Sequence, residues 1–252
     1  PACSSGRIYK IPHPFRSFSR DVRGMVFASR LEMGTKEECM KIVYVENARI
    51  PSERAHAYQT VQWCHWMGKM GHDITLVTPD RAGGMDVHEY YQLSTKTFTH
   101  VILPTWDALT YKWLPQRVSY VFQRLTFLRS LKTWAKGQSA DVWYTRSTVM
   151  IRALHRLVRG AWALEVHDDP TTNAERWRRV QGIITLYIAI SEGLKSKLER
   201  SGVKTDHILV AHDGVDIEAV DNAFSMGWRE RLSIPKDDGL FVYTGSLYPW
   251  KG

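Results

Sequence analysis

The sequence has few of the residues, and none of the long apolar runs, that define several protein classes. No run approaches the roughly 20 apolar residues that a bilayer-spanning helix needs, and the N-terminus has no signal-peptide core. The three cysteines, Cys3, Cys39 and Cys64, are odd in number and widely spaced. This pattern indicates neither a disulfide framework nor a zinc site, and it favours a reducing cytoplasm.

Several enzyme fingerprints are also missing. The turn after the first predicted strand, residues 46–53, contains no glycine, so the dinucleotide pattern G-x-G-x-x-G is absent there. The chain has no P-loop and no nucleophile elbow G-x-S-x-G, and its ten histidines form no H-E-x-x-H. These absences argue against nicotinamide, nucleoside-triphosphatase, acyl-transfer and metallohydrolase chemistry.

What the sequence does contain is a regular alternation of apolar runs and helical stretches that begins after Met40. With 252 residues and 44% hydrophobic residues, the chain can bury a substantial core. The alternation predicts an α/β fold with a Rossmann-like, doubly wound and mostly parallel sheet. The predicted strands are 41–46, 73–79, 100–104, 141–146, 161–168, 183–190, 207–211 and 240–247.

The clearest strand, helix and strand unit spans residues 183–216. Ser191 is the predicted N-cap of its helix, and Gly202 is placed to end that helix. The second strand ends in a turn that contains Asp213 and Gly214. Ligands of doubly wound sheets bind at the carboxyl ends of strands, but Asp-Gly is also a common turn pair. Ligand contact and turn geometry are therefore both open at this position.

Residues 1–39 show no sustained periodicity. One interpretation is that Met40 is the natural start, so that this segment is a non-native extension; the other is an irregular N-terminal arm.

The segment 111–136 carries six bases and no acid, within a chain of net charge +8. On a helix, its bases other than Lys112 fall within an arc of about 140°, and Tyr120, Phe127 and Trp134 form a separate aromatic stripe. One interpretation is contact with an anionic membrane; the other is a core-facing stripe with solvated charges. No nucleic-acid module accompanies the charge. The five predicted membrane-facing bases are Arg117, Arg124, Arg129, Lys132 and Lys136.

Five segments occur in the order expected for one family. They are KIVYVENARIPSERAHAYQTVQWCHWMGKMGHDITLVTP (41–79), LEVHDDP (164–170), IAISEGLKSKLERSGV (188–203), ILVAHDGVD (208–216) and RERLSIPKDDGLFVYTGSLYPWKG (229–252). Together they resemble the family 4 glycosyltransferases. The resemblance implies the amino-terminal half of a GT-B fold, with residues 40–235 as an acceptor-side domain and 236–252 as the start of a donor-binding domain.

The resemblance also implies transfer of a sugar from a nucleotide-sugar to an acceptor, with retention of configuration and without metal or other cofactor. Such acceptors include lipid-linked and cell-envelope glycans, which would place the protein in the cytoplasm at the inner face of the cell membrane.

His167 matches the active-site histidine of the family, although a capping role in its turn is the alternative. Asp168 and Asp169 are interpreted as N-cap or turn residues of the next helix, with catalytic acids as the alternative. Other matches concern the donor and the acceptor. The donor-side matches are Gly245, Ser246, Lys251, Asp213 and Gly214, and the acceptor-side matches are Glu53, Arg54, His56 and Gln59. An amphipathic helix start would explain the acceptor-side residues equally well.

The chain ends at Gly252, soon after the predicted start of the second domain. The sequence therefore predicts a catalytically incomplete chain. The alternative is a non-catalytic, Rossmann-like module that docks on a membrane or binds a ligand.

Overall fold

The computed structural model describes residues 39–81, 83–110, 113–217, 220 and 227–243. These residues divide into two units, one that ends at His212 and one that begins at Asp213. The first unit contains a seven-stranded sheet in the order β3-β2-β1-β4-β5-β6-β7, and every neighbouring pair is parallel. The predicted Rossmann-like, doubly wound fold class is confirmed. The strands are β1 Lys41–Val45, β2 Asp73–Pro79, β3 Thr99–Leu103, β4 Val142–Thr145, β5 Ala161–Val166, β6 Leu186–Ala189 and β7 Ile208–Val210.

Helices connect consecutive strands and cover both faces of the sheet. In the first unit they are α1 Ala55–Lys69, α2 Val87–Tyr90, α3 Gln116–Ala135, α4 Thr148–Leu154, α5 Ala174–Gln181 and α6 Glu192–Arg200. Short 3-10 turns lie at Ala108–Thr110, Pro170–Asn173 and Thr205–His207. None of the helices in the described ranges has the length and hydropathy required to cross a membrane.

The apolar strands have two buried faces because successive side chains point to opposite sides of a sheet. Ile42 and Tyr44 of β1 pack on the side of the sheet that α1 covers. Val43 and Val45 pack on the other side, with the inner faces of α3, α4 and α5. Burial on both faces explains why the strands have continuous apolar sequences rather than alternating ones.

Local signals account for several helix ends. The predicted N-cap Ser191 is confirmed, because its Oγ accepts a hydrogen bond of 3.2 Å from the Leu194 N–H. The single-turn helix α2 lies between β2 and β3, and Asp86 caps it by accepting from the His88 and Glu89 N–H groups. α1 starts at Ala55, with Arg54 in an extended conformation at the N-cap position.

The second unit contains one short described helix, α7 Trp228–Arg231. The Arg229 guanidinium donates to the carbonyl oxygens of Pro235 at 2.9 Å and of Asp238 at 3.1 Å, which folds this segment back on itself. The strand predicted for residues 240–247 is wrong over 240–243, which are irregular; the rest of that range lies outside the described residues. A strand requires a hydrogen-bonding neighbour, and none of the described residues pairs with 240–243.

Candidate functional site

The order of the strands singles out one position on the sheet. The chain runs outwards from β1 through β2 to β3 and then returns to place β4 on the other side of β1. Such a switch point leaves a crevice at the carboxyl ends of the two central strands, where doubly wound proteins bind ligands. A pocket of about 340 Å³ lies there. It is lined by Glu46, Ala55, His56, Gln59, Arg146, His167 and Asp168.

A wider depression of about 530 Å³ lies elsewhere, along the single segment from Asp86 to Lys96. It collects side chains from one loop rather than from several strand ends. The pocket at the switch point is therefore the better candidate for chemistry, although its volume is smaller.

Glu165 is the centre of the polar network at this pocket. Its carboxylate accepts hydrogen bonds from the Tyr144 hydroxyl, from Arg146 Nη2 at 2.8 Å and from His167 Nε2 at 2.6 Å. Because the acceptor is a carboxylate, the proton of the His167 ring in this contact is on Nε2. The arrangement holds the imidazole at the pocket wall with 31% of its side chain exposed.

The strand register explains how these residues meet. Tyr144 lies opposite Ala163 in the parallel pair of β4 and β5, so that continuing each strand places Arg146 beside Glu165. Residues two apart share a face, which puts Glu165 and His167 on the side of the sheet covered by α1. Beneath them, the rings of Tyr144 and Tyr44 pack with centroids 4.6 Å apart and form an aromatic floor.

Two carboxyl groups of the site, those of Glu165 and Glu46, have pKa values that are shifted in opposite directions. Burial opposes ionisation of Glu165, but the hydrogen bond from His167 and the charge of Arg146 outweigh it and lower its pKa. For Glu46, burial dominates over the attraction of Arg146 and raises the pKa to about 7. Burial, with help from Arg54 and Arg146, lowers the pKa of His56. The pocket therefore combines Glu165, whose carboxyl group is ionised at neutral pH, with Glu46, whose carboxyl group has a pKa of about 7.

The structure brings together some of the residues that the sequence predicted for the site. His167, His56 and Gln59 all line the pocket. Glu53 and Arg54 are not among its lining residues: Glu53 pairs with Arg49 at 2.8 Å in an exposed position, and Arg54 occupies the N-cap position of α1.

The two aspartates after His167 differ in role. Asp169 caps the following turn by accepting from the Thr171 N–H at 2.9 Å, and it also pairs with Lys197 at 2.8 Å. The interpretation of Asp169 as an N-cap is therefore confirmed. Asp168 lines the pocket instead.

The predicted donor-side residues all follow His212 in the sequence, where the first unit ends. Asp213 and Gly214 belong to the second unit, whereas Gly245, Ser246 and Lys251 lie outside the described residues. Their assignment to the donor stays a prediction.

Four residues of the site were not predicted from the sequence: Glu46, Tyr144, Arg146 and Glu165. A signal was available for three of them, since a polar residue immediately after a buried apolar strand lies at its carboxyl end, and an acidic residue inside an apolar run requires a buried partner. Glu46 and Arg146 directly follow β1 and β4, and Glu165 is an acidic residue inside an apolar run.

The basic helix α3 buries some polar residues and exposes some apolar ones. Its buried row has a spacing of four and consists of Ser119, Gln123, Phe127, Leu131 and Ala135. Of the predicted aromatic stripe, Phe127 is buried, Trp134 is half-buried, and Tyr120 is exposed beneath the Arg124 guanidinium. The stripe is thus only partly core.

The outward face of α3 is apolar in its first half and basic in its second half. The large side chains that it exposes in the first half are Val118, Val121, Phe122 and Leu125. Arg129, Lys132 and Lys136 follow on the same face and are exposed. Arg117 is exposed near the start of the helix, whereas Arg124 is half-buried.

Comparison with solved structures identifies the class of fold to which the seven-stranded unit is similar. The seven-stranded Rossmann-like unit matches half of a GT-B fold, as in HepE of Anabaena in complex with UDP and glucose. That match has 12% sequence identity and a TM-score of 0.51, and it covers 77% of this chain and 50% of HepE. No protein-family model matches the chain, and no curated protein matches it.

Two further solved structures have the same degree of likeness. A glycosyltransferase from Rickettsia africae ESF-5 matches with 15% identity and a TM-score of 0.52, over 79% of this chain and 51% of that one. Arabidopsis thaliana UGT89C1, complexed with UDP-L-rhamnose, matches with 9% identity and a TM-score of 0.51, over 79% of this chain and 54% of that one. The chain thus spans about half the length of these structures.

Proposed function

We propose that this chain forms the acceptor-side half of a glycosyltransferase that moves a sugar from a nucleotide-sugar to an acceptor. The observation that carries the proposal is the pocket at the switch point, in which Glu165 and Arg146 hold His167 at the carboxyl edge of a GT-B-like half. Supporting it, HepE of Anabaena was solved with UDP and glucose, and UGT89C1 with UDP-L-rhamnose.

The proposed reaction uses the nucleotide-sugar as co-substrate and no metal or other cofactor, and it retains the anomeric configuration. The bond between the anomeric carbon and the diphosphate breaks as the acceptor oxygen bonds to that carbon from the same face, the acceptor hydroxyl gives its proton to the departing diphosphate oxygen, and the nucleoside diphosphate leaves. Negative charge grows on the departing group, so N–H donors nearby stabilise the transition state. His167, held in one orientation by Glu165, is the residue that we assign to the sugar face.

The test uses the complete gene product that contains this chain, incubated with a panel of UDP-, GDP- and ADP-sugars and assayed for release of the nucleotide. We expect one donor to be consumed, and His167→Ala to lower kcat by about 10-fold, because the Nε2–H is used by Glu165 and Nδ1 is left to accept a hydrogen bond from a sugar hydroxyl that the variant loses. His155→Gln is the matched control, because His155 bonds within its own helix turn, to the Ile151 carbonyl oxygen. If no donor is bound or consumed, the alternative of a non-catalytic binding module takes precedence.

We also propose peripheral contact with an anionic membrane through the outward face of α3, which suits a lipid-linked or cell-envelope glycan as acceptor and a place at the cytoplasmic face of the membrane. The exposed apolar residues can contact lipid, and the exposed bases on the same face attract an anionic surface. Gln123 on the inner face donates to Asn47 Oδ1 at 2.9 Å, immediately beside Glu46. α3 would therefore link the membrane to the pocket.

A further inference from the structure

The two glutamates at the pocket have opposite hydrogen-bonding situations. Glu165 is satisfied by three donors, namely Tyr144, Arg146 and His167. Glu46 also lines the pocket, but its Oε2 is buried and has no hydrogen-bond partner among the described residues. Buried polar atoms in folded proteins nearly always have a partner, so an exception at a site requires an explanation, such as a water, an ion or a ligand group that supplies the partner.

Arg146 provides a complementary feature. Its Nη2 is used by Glu165, whereas its Nε is buried without a partner in the described part of the chain. The pocket is thus lined by one residue with an unused acceptor and one with an unused donor. A hydroxyl group both donates and accepts, so neighbouring hydroxyls of a polyol match this pair.

The charged groups around Glu46 favour a neutral ligand over an anionic one. The groups that act on Glu46 are Tyr44 from β1, Arg146 from the end of β4, and Glu165 and His167 from β5, while His56 and Asp168 also line the pocket. Arg146 is neutralised by Glu165 and no other Lys or Arg among the described residues lines the pocket, so an anionic ligand such as a phosphate would meet Glu46 and Asp168 without a second lining cation to offset them. A neutral, hydroxyl-rich ligand avoids this repulsion. The pocket volume of about 340 Å³ lies at the lower end of the range of small-molecule sites, about 300–1,000 Å³.

We propose that Glu46 binds a hydroxyl of the acceptor, with its Oε2 as hydrogen-bond acceptor, so that the group entering this pocket is a neutral sugar or similar polyol. The inference rests on the proposed glycosyl transfer and assigns the substrate class on its acceptor side. Glu165 then acts as the positioning residue for Arg146 and His167, while Glu46 touches the substrate. The raised pKa of Glu46 agrees with this division, because pairs of carboxyl groups with diverging pKa values divide roles in this way.

Carbon-13 NMR of glutamate carboxyl groups tests the proposal directly. The full chain is labelled with carboxyl-labelled glutamate, the Glu46 resonance is assigned by its absence in Glu46→Gln, and methyl glycosides of glucose, galactose, mannose and N-acetylglucosamine are added. We expect at least one glycoside to shift the Glu46 resonance, with binding that tightens as Glu46 ionises through about pH 7. Glu46→Gln should weaken that binding about tenfold or more, as loss of a hydrogen bond to a charged group does.

Glu175→Gln is the matched control, since Glu175 is exposed and pairs with Arg179 within α5. It should leave glycoside binding unchanged. Equal binding by Glu46→Gln and the unaltered chain would overturn the proposal, and so would the absence of any shift of the Glu46 resonance with every glycoside.

These outcomes are separable from those of the proposed function. If nucleotide-sugar is consumed normally by Glu46→Gln, the role of Glu46 fails while glycosyl transfer stands. If glycosides bind at Glu46 but no nucleotide-sugar is consumed, the polyol site stands and the transferase proposal fails.

Discussion

At the residue scale, Glu46 is a position where ligand binding and stability oppose each other. Its carboxyl has a pKa of about 7 in the fold against an ordinary value of 4.5. A raised carboxyl pKa means that ionisation destabilises the fold: the penalty is absent below about pH 4.5, grows as the pH rises to 7, and is complete above it. The difference corresponds to about 3 kcal/mol at pH 8.

We therefore predict that Glu46→Gln, which removes the charge and keeps the shape, stabilises the protein by up to about 3 kcal/mol at pH 8 and has little effect near pH 4.5. Urea denaturation at the two pH values measures the difference. A gain of the same size at both pH values would show that the effect does not come from the charge of Glu46.

Glu165 leads to the opposite prediction. The side chains of Arg146 and Glu165 are only 12% and 6% exposed, so Glu165→Gln leaves a buried guanidinium without its counter-charge. Breaking a buried pair from one side costs about 3–5 kcal/mol. Because the pKa of Glu165 is lowered, its contribution is present above about pH 4.5 and is lost as the pH falls further.

Urea denaturation at pH 7 should therefore show a large loss for Glu165→Gln that narrows in acid. Glu175→Gln serves as the comparison, because its pair with Arg179 is exposed on both sides and should contribute at most about 1 kcal/mol. Equal losses in the two variants would contradict the role of Glu165 as the centre of the network.

What the sequence could reveal at this scale was limited to local patterns. His167, His56 and Gln59 lie in motifs that can be read along the chain, and they do line the pocket. Tyr144 and Glu165 are 21 residues apart and meet only through strand pairing. The state of Glu46 depends on how deeply its carboxyl is buried, which no single-sequence pattern encodes.

At the scale of elements, the strands were predictable because burial on both faces produces continuous apolar runs. The buried side of α3 was not predictable from the sequence. Its buried row includes Ser119 and Gln123, so hydrophobicity alone does not identify the inner side, while Phe122 and Leu125 stay exposed. Periodicity gives the helix, but tertiary contacts decide which side is covered.

The packing of α1 gives an element-scale prediction. A Cβ added at Gly68 would lie 2.1 Å from the backbone oxygen of Thr97, so the helix touches the segment before β3 there. Alanine favours helices over glycine by up to about 1 kcal/mol, but a backbone atom cannot move aside cheaply. We expect Gly68→Ala to destabilise the protein by about 1–3 kcal/mol, as overpacking does, measured by thermal unfolding.

Gly193 of α6 is the matched control. Its nearest neighbour to an added Cβ is Ser191 Oγ at 3.8 Å, so Gly193→Ala should be neutral or stabilising by up to about 1 kcal/mol. If Gly68→Ala is equally well tolerated, α1 does not pack against the backbone of Thr97 as closely as the 2.1 Å distance indicates.

At the scale of the whole molecule, the fold class followed from alternation alone, because a regular succession of strands and helices has few solutions other than a doubly wound sheet. The strand order then located the pocket at the switch point. Neither the donor nor the acceptor follows from topology, since one fold serves many functions.

The net charge of +8 and the outward face of α3 lead to the last prediction. Three bases near an anionic membrane contribute on the order of 1 kcal/mol each. The triple change Arg129→Gln, Lys132→Gln and Lys136→Gln should therefore weaken binding to phosphatidylglycerol vesicles about 100-fold at low salt, and by less as salt screens the charges. Co-sedimentation over a salt series measures this.

Substitutions in the apolar first half of the outward face of α3 should have an effect on vesicle binding that does not depend on salt. Phe122→Ser with Leu125→Ser removes insertion into the lipid, so it should weaken binding at low and high salt alike. Leu157→Ser is the control, because Leu157 is also exposed but follows α4 rather than lying on α3. Binding to uncharged vesicles as strong as to anionic ones, or no binding at low salt, would contradict the membrane proposal. The apolar face of α3 would then require a protein partner to cover it, since a contiguous exposed patch of this kind marks an interaction surface.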